Sequence, residues 1–102
     1  MIKHCVLFKL RPGTPKTTVD TCLRELGGLV GQIPGLLDFV GGPDASTESR
    51  SRGYTHGFVM TFDSAASRDA YLPHPDHKRV AANLIQIVDG GPEGTLVMDF
   101  ES

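Results

Sequence analysis

Apolar and polar positions alternate from Ile2 to Leu10. Ile2, His4, Val6, Phe8 and Leu10 fall on one face, and Lys3, Cys5, Leu7 and Lys9 on the other. A period of two predicts a β-strand. Arg11-Pro12-Gly13 ends it, and Thr14-Pro15 reads as a helix start, with Thr14 as N-cap and Pro15 at the first helical position. Val19, Cys22, Leu23, Leu26, Leu29, Val30 and Ile33 then recur at spacings of three and four, an amphipathic helix whose end is softened by Gly27, Gly28 and Gly31. Ile33-Pro34-Gly35 turns the chain into a short second strand, Leu36 to Gly41. Residues 42–53 are polar and predict a solvent loop. Tyr54 to Phe62 alternates again, with Tyr54, His56, Phe58, Met60 and Phe62 on one face and Thr55, Gly57, Val59 and Thr61 on the other. Asp63-Ser64 caps a short helix that runs into a proline corner. Pro75 opens a further helix carrying Val80, Ala81, Leu84, Ile85, Ile87 and Val88. Asp89-Gly90-Gly91-Pro92 closes it, and Thr95 to Phe100 is the last strand.

The order β-α-β-β-α-β, with its second helix split, predicts a ferredoxin-like α+β fold: a four-stranded antiparallel sheet with helices on one face. Such a sheet has a spare face. Here it would carry Cys5, Leu7, Thr55, Val59 and Thr61, flanked by Lys3 and Lys9, which is too apolar to be left in water. Two such faces packed together predict a homodimer joined through its sheets, a dimeric α/β barrel. The length of 102 residues suits one domain, 1–102, with a modest core that dimerisation would help.

Charge narrows the partners. The net charge is −2 with no basic run, so neither nucleic acid nor an anionic membrane has electrostatic support. No apolar stretch approaches the ~20 residues of a membrane span, and the opening strand pattern lacks signal-peptide organisation. The two cysteines, Cys5 and Cys22, sit inside apolar patterns and read as reduced core thiols of a cytoplasmic protein.

The candidate chemistry lies in Tyr71-Leu72-Pro73-His74-Pro75-Asp76-His77, where two prolines stiffen a corner crowded with titratable groups. Helical spacing puts His77 on the inward stripe of Val80 and Leu84, and Tyr71 ends the helix before it. His4 and His56 share the more apolar faces of their strands. A satisfied core histidine is the ordinary reading of any one of these, but several polar rings aimed into one small core imply a pocket that uses or hydrates them. Four residues of strand stagger place His4 and His56 on the order of 13 Å apart, too far to touch one small group. His4 reads as a cavity polar group and His56 as more structural. His74 reads as an N-cap or an exposed residue. With His77 it has metal-permissive spacing, but no third ligand is evident, so no metal is expected.

Ile2-Lys3-His4-Cys5-Val6-Leu7-Phe8-Lys9-Leu10, Gly53-Tyr54-Thr55-His56, the Tyr71–His77 corner and Val97-Met98-Asp99-Phe100 together resemble the stress-responsive dimeric A/B barrel (Dabb) family over nearly the whole chain. The resemblance implies the same fold and a dimer joined through its sheets. It also implies a likeness to a plant polyketide cyclase of that family, in which Tyr71 and His77 fall on catalytic positions and His4, His56 and Phe58 on its site region. The function expected is binding of a small apolar or aromatic carbonyl compound, with cofactor-free proton abstraction of cyclase, isomerase or lyase type. His77 would be the base and Tyr71 its partner, with Phe8, Phe58, Met60 and Leu84 as substrate-binding walls beside Val6 and Ile85. The alternatives are a non-enzymatic stress-response or ligand-binding dimer, and an accessory subunit whose loop 42–53 meets a partner.

Overall fold

The computed structural model describes residues 1–102. Its strands are β1 (Ile2–Phe8), β2 (Leu36–Pro43), β3 (His56–Phe62) and β4 (Thr95–Glu101), and its helices α1 (Lys16–Gly27), α2 (Ala65–Tyr71) and α3 (Pro75–Gln86), with a 3-10 turn at Gly91–Gly94. The strands form one antiparallel sheet in the order β2-β3-β1-β4. This is the ferredoxin-like arrangement, with α2 and α3 making up the split second helix.

Register decides which side chains share a face. His4 stands opposite Met60 on β3 and Asp99 on β4, and Val6 opposite Phe58 and Val97. Phe8, Met60 and Phe62 are fully buried beneath the helices, against Val19, Cys22 and Leu26 of α1 and Val80 and Leu84 of α3. Each such aliphatic or aromatic side chain contributes on the order of 1.5–3 kcal/mol by leaving water. On the opposite face Leu7, Val40, Leu96, Met98 and Phe100 remain exposed. Thr55 lies just before β3, where its hydroxyl accepts from the Leu10 N–H at 2.9 Å.

Helix ends explain the departures from the sequence pattern. Thr14 is not the N-cap of α1: its hydroxyl donates to the Arg11 carbonyl, closing the preceding turn, and Pro15 takes the cap position. The apolar stripe continues through Leu29 and Ile33, but the α-helix stops at Gly27 and the stripe is completed by turns. α2 begins as its sequence implies, with Ser64 Oγ accepting from the Ser67 N–H at 3.2 Å. In α3, Pro75 takes the first position and His74 is the N-cap. No helix is long and apolar enough to cross a membrane.

Candidate functional site

Pro75 sets the hydrogen bonding of the corner. Pro75 has no N–H to offer the carbonyl of Leu72 three residues back. The next donor, the Asp76 N–H, is taken by His74 Nδ1 at 3.1 Å. The Leu72 carbonyl thus receives no backbone N–H, and His77 Nδ1 reaches it at 2.9 Å. A carbonyl only accepts, so Nδ1 carries the proton and Nε2 of neutral His77 is left with its lone pair. Burial depresses the His77 pKa, partly opposed by the bond to Leu72, with His4 and His74 adding to the depression. The imidazole is therefore a free base over a wider pH range than an exposed one.

Tyr71, the last residue of α2, is 1% exposed. Its ring packs against His77 with centroids 4.0 Å apart and stands edge-on to His4 at 6.1 Å. Burial alone raises the phenol pKa far above its ordinary value, which keeps it protonated as a donor. No protein group bonds the Tyr71 hydroxyl, yet no buried side-chain polar atom is sealed without a partner. The hydroxyl therefore opens into free space.

That space is a cavity of about 220 Å³ between the sheet and helices α2 and α3. Its walls include His4, Val6, Phe58, Tyr71, His77, Leu84 and Ile85, with Leu72 and Val97 at an exposed rim. His4 Nδ1 donates to Asp99 Oδ1 at 2.8 Å, and Arg68 Nη1 donates to Asp99 Oδ2 at 2.7 Å. Burial works against charge on Asp99, but the hydrogen bonds from Arg68 and His4 outweigh it and hold the carboxyl below its ordinary range. His4 is thus fixed by the same logic as His77, with Nδ1 bonded outward and Nε2 free. The arrangement can take a proton at an imidazole nitrogen and donate one from a phenol, within walls that are otherwise largely hydrocarbon.

The structure gathers His4, Phe58, Tyr71, His77 and Leu84 around one cavity and places Phe8, Met60 and His56 away from it. Phe8 and Met60 do not line it: both are fully buried in the core. His56 lies at the far end of the sheet, stacked on Phe8 at 5.4 Å, with Nδ1 2.9 Å from Thr55 Oγ1. There it borders a wider, open depression of about 450 Å³ walled by Asp44, Glu48, Arg50, Arg52 and Tyr54. That depression is larger, but it pairs no base with a buried donor. His74 is occupied by its cap, and no three His, Cys, Asp or Glu side chains gather to suit a metal. Asp99 and Arg68 escaped the sequence reading. The available signal was Asp99 itself, an acid on the alternate positions of β4 that share a face with Val97.

The model of the stress-responsive A/B barrel domain matches residues 2–102. The stress-response A/B barrel domain-containing protein HS1 of Arabidopsis thaliana is 29% identical over 100 residues, 98% of this chain and 88% of that protein. Olivetolic acid cyclase of Cannabis sativa is 28% identical over 76 residues, 74% of this chain and 75% of the enzyme. Among solved structures, a dimeric ferredoxin-like protein of unknown function from Jannaschia sp. CCS1 superposes with a TM-score of 0.89 at 33% identity, covering 99% of this chain and 98% of that one. The chain belongs to the stress-responsive A/B barrel domain family.

Proposed function

We propose that this protein binds a small carbonyl compound in the cavity and removes a proton beside the carbonyl without a cofactor. The observation that carries this reading is the His77–Leu72 bond, which leaves a lone pair free next to a buried, protonated phenol. His77 Nε2 takes the proton from carbon, and Tyr71 donates to the oxygen on which negative charge develops. Removing one such donor from a dry site costs on the order of 10²–10³ in rate. The likeness to olivetolic acid cyclase supports the same class of chemistry.

The test uses deuterium uptake α to the carbonyl of 3-hydroxyacetophenone, followed by NMR in D2O. The wild-type chain exchanges faster than buffer, Tyr71→Phe slows it, and His77→Ala reduces it to the buffer rate with the fold intact. Exchange undiminished in His77→Ala removes His77 from the mechanism. Ligand binding without any exchange would leave a non-enzymatic carrier.

The working form in this proposal is a homodimer through the outer sheet faces. Across β1 and β4, Leu7 stands opposite Leu96, half-buried Cys5 opposite Met98 and Lys3 opposite Phe100, so Leu7, Leu96, Met98 and Phe100 share one exposed apolar patch. The dimeric state of the Jannaschia structure supports it.

A further inference from the structure

Donor and acceptor bookkeeping narrows what the cavity can hold, given the reading that it is the ligand site. His77 commits its N–H to Leu72, and His4 commits its N–H to Asp99. Thr95, also on the wall, commits its hydroxyl proton to the Pro92 carbonyl at 2.7 Å. The second oxygen of Asp99 is held by Arg68, so His4 meets a carboxylate that is already half of an ion pair. Two imidazole nitrogens and one hydroxyl oxygen are thereby left as acceptors. The Tyr71 hydroxyl is the one side-chain donor. No lysine or arginine lines the space.

We propose that the cavity selects an uncharged molecule, about one ring in size, that carries a hydrogen-bond donor such as a phenolic or alcoholic hydroxyl, and that it rejects carboxylates and phosphates of the same shape. An anion would face three acceptors, one donor and no cation, a desolvation cost with little return. An apolar isostere would leave imidazole acceptors dry and unpaired. Size sets the other limit. Apolar cavities of ~150 Å³ accept benzene, so about 220 Å³ suits a substituted single ring rather than a fused system.

The test is a ¹⁹F NMR titration of the full chain at pH 8 with 4-fluorophenol, 4-fluorotoluene and 4-fluorobenzoate. The phenol should bind about tenfold tighter than the toluene, the net worth of one hydrogen bond. The benzoate should bind at least about a hundredfold more weakly than the phenol. Ala81→Phe, which fills the cavity, should abolish binding of all three. His77→Leu should cut the preference for the phenol over the toluene at least threefold while the toluene keeps its affinity. Benzoate binding as tightly as the phenol, or phenol and toluene binding alike, overturns the proposal. Failure of every probe to bind overturns the ligand site itself. Loss of the carbonyl-exchange reaction, with this ranking intact, removes only the catalytic reading.

Discussion

Asp99→Ala isolates the network behind the cavity. The His4 side chain is 8% exposed, so removing the carboxylate takes away the partner of a buried Nδ1–H. An unsatisfied buried donor costs ~1–3 kcal/mol. Arg68 is nearer the surface and already donates through Nε to Asp69 at 2.9 Å, so it keeps a partner. The expected loss at pH 7 is therefore about 2 kcal/mol, nearly all of it from His4. The pH dependence has a definite sign. Asp99 is held below its ordinary range in the folded chain, so its contribution is complete above the unfolded value of ~3.9 and disappears as pH falls through the folded value. The gap between wild type and variant should be widest near neutrality and narrow as the pH falls below the unfolded value. Urea unfolding by circular dichroism at several pH values measures it, at one fixed protein concentration so that any self-association contributes equally to both proteins. A loss under about 0.5 kcal/mol at pH 7, or a gap that widens toward acid, would refute the account.

Further outcomes follow from particular contacts. The α-proton exchange rate plotted against pH should reach half its plateau below 6.5, because burial lowers the His77 pKa from that value; a midpoint at or above it contradicts the assignment. Met98→Glu places a charge in the exposed apolar band and should halve the mass seen by light scattering, whereas an unchanged mass excludes that face as the interface. Gly94 is buried, and a Cβ there would collide with the Asp89 carbonyl oxygen and a Val88 methyl. Gly94→Ala should therefore cost on the order of 1–3 kcal/mol in chemical denaturation, and an unaltered midpoint would show that the turn relaxes freely.

Much of this architecture is legible in the sequence because strands and helices leave different periods. Alternation around Val6 and Phe58, and the three- and four-residue spacing of His77, Val80 and Leu84, assign faces before any contact is known. The proline corner declares the α3 start, from which the spacing gives the inward aim of His77. Periodicity does not say where along a face a cavity opens. His4, His56, Phe8 and Met60 all share the helix-facing side, yet the cavity takes only His4, because the other end is filled by packing of Phe8 with His56 and of Met60 within the core. The Asp99–His4 pair needed the β1–β4 register, which joins residues 95 positions apart. Thr14 misled because a hydroxyl before a proline can cap a helix or close the turn before it, and here the Arg11 carbonyl was nearer.

The proton on His77 is held in place by main chain. Many catalytic imidazoles are oriented by a carboxylate, whose loss by one substitution abolishes the orientation. Here the acceptor is the Leu72 carbonyl, which no side-chain replacement at position 72 can delete. The vulnerable positions are the neighbours that keep donors away from it. Replacing Pro75 would add a backbone donor to the first turn of α3, three residues after Leu72, while every residue lining the cavity stayed the same. The tautomer of His77 is thus set by the main chain of the corner rather than by a side-chain partner.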